Sequence, residues 1–340
     1  MKLPKPSRSD RKPAEVTDAP IPVTVLTGFL GAGKTTLVNR ILGDPDSPPC
    51  AVLVNEFGDV GVDGSLVVSS DEEIVELNNG CLCCTVRGDL VGALESLLDR
   101  RHRGLLRAAQ PFERVLIETS GLASPGPVVQ TLLIEDRLRS LLIPDGIVTL
   151  CNAERIAEQL DEHPEAREQV GYGDLLLLNH SDRVQAAGID EAEKALRAVN
   201  SRATLHRTQQ ANMDLSLLTN VDAAQPEVDG KFADADSSHS HTTDAGTVVL
   251  RTDKTLSIHT IKIWLTFLAS WRSHELWRVK GILNCAEVDQ RVVVQGVYQH
   301  LNIGPEAGPK PAESVLVLIG RGLDRESLLR GWETAIAAPE

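Results

Sequence analysis

The chain has 340 residues, with 48 acidic side chains against 34 Lys and Arg, and a formal net charge of −14. This excess of negative charge argues against binding to nucleic acid or to an anionic membrane, because both need neutralising cations. No apolar run approaches the ~20 residues of a spanning helix, and the N-terminus lacks the apolar stretch of a signal peptide. We therefore expect a cytoplasmic protein with no nucleic-acid or membrane partner.

Apolar runs alternate with helical patterns along the first two thirds of the chain. Such alternation predicts an α/β fold with a doubly wound, mostly parallel sheet, whose ligands bind at the carboxyl ends of the strands. Aromatic residues make up only 3% of the chain, so the core must consist mainly of aliphatic residues. The predicted strands are residues 21–27, 51–54, 72–77, 114–117, 146–150 and 175–178.

Composition shifts divide the chain into four segments. Residues 1–20 are rich in Pro, Lys, Arg and Ser and are predicted to form a disordered tail. Residues 21–220 form the predicted α/β domain. Residues 221–246 lose apolar periodicity and are predicted to be a polar linker. Residues 247–338, with an amphipathic helix at about 259–271, are predicted to form a small α+β C-terminal domain.

A phosphate-binding loop follows the first strand. The segment from Gly28 to Thr35 matches G-x-x-x-x-G-K-[ST] between a predicted strand and a predicted helix, as the P-loop of P-loop NTPases requires. Lys34 is expected to reach the β- and γ-phosphates, and the Thr35 hydroxyl is expected to bind Mg²⁺. The residues predicted to contact the phosphates are Gly28, Gly31, Ala32, Gly33, Lys34, Thr35 and Thr36.

Carboxylates at two other strand ends complete the predicted catalytic group. Glu118 ends an apolar strand and is expected to complete the Mg²⁺ shell, while the N–H of Gly121 reaches the γ-phosphate. Residues 55–64 are acidic and Gly-rich and follow the second strand. This is where we expect a switch loop that senses the nucleotide. Within this segment Glu56, Asp59 and Asp63 are candidates to orient the attacking water.

The segment after the sixth predicted strand indicates which nucleotide base is bound. Asn179-His180-Ser181-Asp182 has the Asn and Asp of the guanine-reading pattern Asn-Lys-x-Asp. An Asp here accepts two hydrogen bonds from guanine and is left unpaired by adenine, which favours GTP over ATP. His180 replaces the Lys whose alkyl stem packs over the base, and an imidazole can stack there too.

A cysteine cluster follows the third strand. Cys81, Cys83 and Cys84 form C-x-C-C, and thiolates suit Zn²⁺, with Co²⁺ also fitting. Three thiolates leave one tetrahedral position for Glu56, Asp59 or water, as an exchange site needs. Buried apolar thiols and a redox switch remain alternatives. His239 and His241, in the linker, are too few to indicate a metal site.

Together these motifs resemble the CobW-like family of metallochaperone GTPases, which includes the zinc-regulated GTPase metalloprotein activators. The resemblance runs from about Ile21 to Trp332. C-x-C-C beside a P-loop is its specific signature. The matching segments are Thr27–Thr36, Asn55–Gly58, Gly80–Cys84, Glu118–Gly121, Asn179–Asp182, Val279–Gly281, Val294–Val297 and Leu316–Arg321.

The resemblance implies GTP hydrolysis, metal binding at the cysteine cluster, and a client metalloprotein that receives the metal. A homodimer is an open alternative. Two positions differ from the family pattern: His180 stands where Lys is usual, and Asn152 where Asp is usual. Two other hypotheses remain open from the residues, a P-loop kinase with a structural zinc and a nucleotide- and zinc-switched binding module with little turnover.

Overall fold

The computed structural model describes residues 19–44, 47–56, 73–78, 85–102, 112–218, 221 and 245–336. Two sheets organise these residues, one parallel and one antiparallel. Among the described residues, no helix is both long enough and apolar enough to cross a membrane.

The first sheet has seven strands within the described part of the chain, in the order β3-β2-β4-β1-β5-β6-β7. Every pairing is parallel, which confirms the predicted sheet class. The strands are β1 (Ile21–Gly28), β2 (Cys50–Glu56), β3 (Glu73–Asn78), β4 (Arg114–Thr119), β5 (Leu142–Asn152), β6 (Leu175–Asn179) and β7 (Thr204–Arg207).

In the described residues, helices lie between the other consecutive strands, as parallel pairing requires, while the connection from β2 to β3 lies outside the described residues. The first helix, α1, buries Leu37, Val38, Ile41 and Leu42 in a core shared with β1, β2 and β4. The helices before the second sheet are α1 (Lys34–Gly43), α2 (Thr85–His102), α3 (Gly126–Ile134), α4 (Asp136–Leu141), α5 (Ile156–Glu162), α6 (Pro164–Tyr172) and α7 (Ala186–Val199).

A buried polar network joins the amino-terminal parts of three strands. Arg114 of β4 donates hydrogen bonds to Asp145 of β5 and to the hydroxyl of Thr24 in β1. A buried charge is tolerated only with such partners, because the interior cannot solvate it as water does. The network therefore fixes the register of β1, β4 and β5 at the edge of the sheet opposite the P-loop.

The second sheet is antiparallel, with the order β11-β10-β9-β12-β8. Helices α8 and α9 cover one face and bury Ile261, Leu265, Leu328 and Trp332 against it. This sheet with its helices confirms the predicted small C-terminal fold. Its elements are β8 (Ala245–Thr252), α8 (Ile258–Trp271), β9 (Leu276–Leu283), β10 (Arg291–Val297), β11 (His300–Glu306), β12 (Ser314–Arg321) and α9 (Arg325–Thr334).

The described residues fall into two compact units. The first contains the described residues up to Glu154, with Asp174–Ile189 and the stretch from Thr204 to Val221. The second contains Arg155–Gly173, Asp190–Ala203 and the antiparallel sheet. Within it, α6 lies against β9, where Gly171 contacts the ring of Trp277. The predicted domain bounds, drawn from composition, stay a prediction.

Candidate nucleotide-binding site

The predicted nucleotide-site residues that the structure describes lie at or just after the ends of the parallel strands. Since β4, β1, β5 and β6 are consecutive in the sheet, their carboxyl ends lie side by side. Gly28, Thr119, Asn152 and Asn179 are the last residues of these strands. Loops at such strand ends carry the ligand sites of open α/β sheets. The topology therefore brings the P-loop, Glu118 and the base-reading segment to one edge.

The P-loop has the backbone of a phosphate cradle. Gly28, Gly31 and Gly33 have φ values of 142°, 73° and 104°, a region that residues with a Cβ seldom adopt. Gly33 is the N-cap of α1, and the first turn of α1 carries no acidic side chain. The positive end of the helix is thus left for an anion, such as a phosphate.

The side chain of Lys34 is hydrogen-bonded to the backbone of the P-loop. Its ammonium donates to the carbonyl oxygen of Gly28 at 2.8 Å and to that of Phe29 at 3.4 Å. Both acceptors belong to the loop itself, so the ammonium is held over the cradle. A phosphate there would meet a fixed positive charge.

Glu118 faces Thr35 across the site. The Thr35 hydroxyl donates to Oε1 of Glu118 at 3.4 Å, and Glu118 is only 6% exposed. The neighbouring Thr119 donates to the Thr27 hydroxyl at 2.9 Å, which ties the end of β4 to β1. A hydroxyl and a carboxylate oxygen side by side are hard ligands that suit Mg²⁺.

Gly121 allows the loop after β4 to approach the P-loop closely. A Cβ at this position would stand 2.6 Å from Cδ2 and 3.0 Å from the backbone nitrogen of Leu30. Any larger residue would push the two loops apart. The predicted contact between Gly121 and a γ-phosphate remains a prediction, although its loop lies beside the cradle.

Asn179 bridges the P-loop to a turn that the sequence did not predict. Its Nδ2 donates to the carbonyl of Ala32 at 3.0 Å, and its Oδ1 accepts from the N–H of Ala211 at 2.9 Å. Gln210 and Ala211 have φ values of 49° and 52°, so the turn is left-handed. Sequence reasoning missed it because no Gly, Asn or Asp occupies those positions.

The segment after Asn179 is fixed by its backbone. His180 has a φ of 61° and is half-buried, and Ser181–Arg183 form a short 3₁₀ helix. The N–H and the hydroxyl of Ser181 both donate to the carbonyl of Thr208, at 3.2 and 2.9 Å. Asp182 is exposed in this turn, where a ligand can reach its carboxylate.

Asn152, which differs from the family pattern, makes a turn contact. Its Oδ1 accepts the N–H of Glu154 at 3.0 Å, while the N–H of Ala153 donates to the carbonyl of Asn179 at 2.9 Å. A carboxylate oxygen of Asp would accept the same hydrogen bond. The substitution therefore keeps the hydrogen bond that shapes the end of β5.

The predicted metal site lies outside the described residues. This holds for Cys81, Cys83 and Cys84, for Asp59 and Asp63, and for His239 and His241. Glu56 is the last residue of β2, on the same edge as the P-loop. In the described part of the chain, no group of three metal-ligating side chains occurs.

The other three cysteines are buried thiols. They are Cys50, Cys151 and Cys285. Burial raises the pKa of Cys151 to about 12. The pKa of Cys285 rises to about 11, mainly through burial. Metals bind the thiolate, so Cys151 and Cys285 are poor metal ligands.

The parallel sheet, the P-loop and the strand-end residues around it define a P-loop nucleotide-binding protein. The sequence matches the family model described as CobW/HypB/UreG, nucleotide-binding domain, over residues 22–207. Residues 245–336 match the model of the Cobalamin synthesis protein cobW C-terminal domain. The chain belongs to the CobW/HypB/UreG family.

Several relatives are similar over most of their length. The Zinc chaperone YjiA of Escherichia coli (strain K12) is 33% identical over 315 residues, covering 91% of this chain and 96% of the relative. The Zinc-regulated GTPase metalloprotein activator 1 of Schizosaccharomyces pombe is 31% identical, covering 91% and 84%. The crystal structure of Zn(II)-bound YjiA GTPase from E. coli aligns with a TM-score of 0.72 at 28% identity, covering 94% and 100%.

Proposed function

We propose that this protein hydrolyses GTP and uses the cycle to bind Zn²⁺ and deliver it to a client metalloprotein. The observation that carries the proposal is the juxtaposition of Lys34, Thr35 and Glu118 at the strand ends of a CobW-family nucleotide-binding domain. Two relatives that cover nearly the whole chain are named a zinc chaperone and a zinc-regulated GTPase. We place the activity in the cytoplasm.

The nucleotide half of the proposal assigns one role to each group. The N–H groups of the P-loop and Lys34 hold the β- and γ-phosphates. Thr35 and Glu118 provide the oxygen ligands for Mg²⁺, which when bound neutralises charge that develops on the phosphates. Gly121 lies beside the loop, where its N–H can orient the γ-phosphate. Glu56 and Asp59 are the proposed groups that orient water.

Guanine is the proposed base. Asp182 is exposed in a turn whose backbone is fixed by the hydrogen bonds from Ser181 to the carbonyl of Thr208. A carboxylate pairs with the two adjacent N–H donors of guanine, whereas adenine would leave it unpaired. His180 provides a flat ring beside the same turn, in the place where the family usually has the stem of a Lys.

Zinc is the proposed cargo, bound by Cys81, Cys83 and Cys84. The high pKa values of the buried Cys151 and Cys285 make these two thiols poor sources of a thiolate ligand. Thiolates prefer Zn²⁺ and also accept Co²⁺. Binding of GTP raises the affinity for zinc and hydrolysis lowers it. Such coupling requires that the nucleotides differ in their affinity for the two states of the switch loop.

Glu118→Gln tests the hydrolytic half, with Glu113→Gln as the matched control. Glu113 is exposed and precedes the opposite end of the same strand. Without an added acceptor, the wild type should release phosphate from GTP, and Glu118→Gln should release it about 10²-fold more slowly, because a metal ligand is lost. Glu113→Gln should match the wild type.

The same assay separates the rival functions. A kinase with a structural zinc would transfer the γ-phosphate to an added acceptor, so it would form GDP only with the acceptor present and would release little inorganic phosphate. A binding module would show no turnover even with zinc and client present. Faster release from ATP than from GTP would contradict the role given to Asp182.

A further inference from the structure

Helix α8 has one face in the core of the second unit and one face in solvent. Ile261, Leu265 and Ala269 are buried against the antiparallel sheet. Trp264 packs toward α9, with its ring 6.4 Å from that of Trp332. The helix is thus anchored by its inner face and its flank, and the outer face is not needed to hold it.

The outer face nevertheless carries three large apolar side chains. Ile263, Phe267 and Trp271 are 72%, 59% and 76% exposed. Their spacing of four residues places them in one stripe along the helix. The rings of Phe267 and Trp271 are 5.3 Å apart, so the stripe is continuous at this end. Single exposed apolar residues are ordinary, but a contiguous aromatic stripe indicates an interaction surface.

The helix that carries the stripe has no acidic side chain of its own. The sequence from Lys254 to His274 contains no Asp or Glu, although the whole chain has 48 acidic residues in 340. Lys262 and His259 are exposed on the helix beside the stripe. Two carboxylates lie at the ends of the helix. Glu287 caps the first turn at Ile258, and Glu275 pairs with Arg272 at 3.2 Å.

We propose that Ile263, Phe267 and Trp271 form a docking surface for an acidic amphipathic helix of a partner protein. The stripe spans about 12 Å along the axis, at 1.5 Å per residue, and so matches two to three turns of a partner helix. Leu or similar apolar side chains of the partner helix would cover Ile263, Phe267 and Trp271. Carboxylates of the same partner helix would face Lys262. In a second copy of this chain, Lys262 would instead face the same helix, which offers no carboxylate to pair with it.

An anionic membrane is a poorer occupant, since the chain carries a net charge of −14 and would be repelled. The surface is inferred from the second unit alone. That its partner is the zinc-receiving client rests on the proposed function, whereas the docking itself does not.

The test uses the full-length protein and a synthetic helical peptide as the probe. The peptide is a fluorescein-labelled 16-mer with Leu at positions 4, 8, 11 and 15 and with Glu and Ala elsewhere. Fluorescence anisotropy should show saturable binding to the wild type. The double variant Ile263→Ser/Phe267→Ser should bind at least about tenfold more weakly, because central apolar anchors dominate such interfaces.

A control variant and a control peptide show whether binding depends on this surface and on its charge. Ile143→Ser removes an equally apolar, 52% exposed side chain from β5 and should leave binding unchanged. A peptide with Lys in place of Glu should not bind. GTP hydrolysis, measured in parallel, should stay at the wild-type rate in the double variant, so a failure of docking is distinguished from a failure of the proposed function.

The proposal would be overturned if no saturable binding occurs, if the Lys peptide binds equally well, or if the double variant binds as tightly as the wild type. It would also be overturned if sedimentation shows that the wild type forms a dimer and that the double variant does not. Binding to phosphatidylserine vesicles that depends on Phe267 would overturn it as well, because the occupant would then be a lipid surface.

Discussion

At the scale of single residues, the site depends on side chains that serve two loops at once. Asn179 holds Ala32 of the P-loop with its amide nitrogen and Ala211 of the following turn with its oxygen. It is buried, so each of these hydrogen bonds replaces one that water would otherwise make. The phosphate cradle and the base-reading segment are therefore held in one arrangement.

Gly33→Ala and Gly31→Ala form a matched pair that tests this arrangement. A Cβ at Gly33 would lie 2.4 Å from Nδ2 of Asn179, whereas a Cβ at Gly31 meets nothing within 4 Å. Both glycines have positive φ, so both variants bear about 1–2 kcal/mol of backbone strain. The free energy of unfolding of Gly33→Ala should fall by about 1–3 kcal/mol more, because the added methyl group displaces Asn179.

Chemical denaturation measures the free energy of unfolding, and titration with a fluorescent guanine nucleotide measures affinity. We expect Gly33→Ala to be clearly less stable and to bind at least about tenfold more weakly than Gly31→Ala. Equal losses in the two variants would mean that Asn179 does not couple the loops.

The buried thiols make a second prediction. The pKa values of Cys151 and Cys285 are raised to about 12 and about 11. With a chromogenic disulfide at pH 8, at most three of the six thiols should react in the folded, metal-free protein, because Cys50, Cys151 and Cys285 are buried. Bound zinc should protect the remaining three thiols, those of the C-x-C-C motif, from the reagent. Reaction of Cys151 in the native state, seen by peptide mass spectrometry, would contradict the burial.

The same shifts set the direction of a pH effect. In the unfolded chain a thiol ionises near pH 8.5. In the folded chain Cys151 and Cys285 stay neutral until about pH 12 and 11. The stability that their neutral forms contribute is full below about pH 8.5 and falls as the pH rises toward 11–12. Cys151→Ala should flatten this fall.

At the scale of elements, strands with apolar runs were predictable and irregular ones were not. Patterns at residues 21–27 and 175–178 correspond to β1 and β6, since fully buried parallel strands are continuously apolar. β5 starts at Leu142, four residues before its prediction, because Pro144 and Gly146 interrupt the pattern. Gly146 has a φ of 111° beside a shift in register with β1.

Two edge strands were missed for a related reason. β7 has only four residues, Thr204–Arg207, and none of them is buried. β11 contains Gly304 and Pro305, which argue against a strand in general but are tolerated at an edge. In both cases the pairing with a neighbouring strand, and not the local sequence, forms the element.

The ion pair Arg114–Asp145 tests how far elements depend on buried polar contacts. Arg114→Met leaves Asp145 buried without its cation, which should cost about 3–5 kcal/mol of unfolding free energy. Arg114→Met/Asp145→Leu should recover most of that loss, since no charge is then stranded. Urea denaturation of the two variants provides the comparison. A double variant as unstable as the single one would refute the role given to the pair.

At the scale of the whole molecule, the sequence predicted the two sheets but not how the helices are shared. The P-loop and the short segments at the ends of the neighbouring strands were predictable, because each is recognised from a few consecutive residues. The second compact unit also takes in Arg155–Gly173 and Asp190–Ala203. Within it, Thr247 donates to the carbonyl of Val199 and Asn200 to that of Gly173. These contacts are distant in sequence, so composition could not reveal them.

The proposed function depends above all on coupling between the bound nucleotide and the affinity for zinc. The most direct measurement is the Zn²⁺ affinity of the wild type, by competition with a chromophoric chelator, in GDP and in a non-hydrolysable GTP analogue. Cys83→Ser tests the motif, and Cys285→Ala is the control at a buried thiol. We predict an affinity about tenfold higher with the analogue, lost in Cys83→Ser and kept in Cys285→Ala. Equal affinity in the two nucleotides would contradict this coupling.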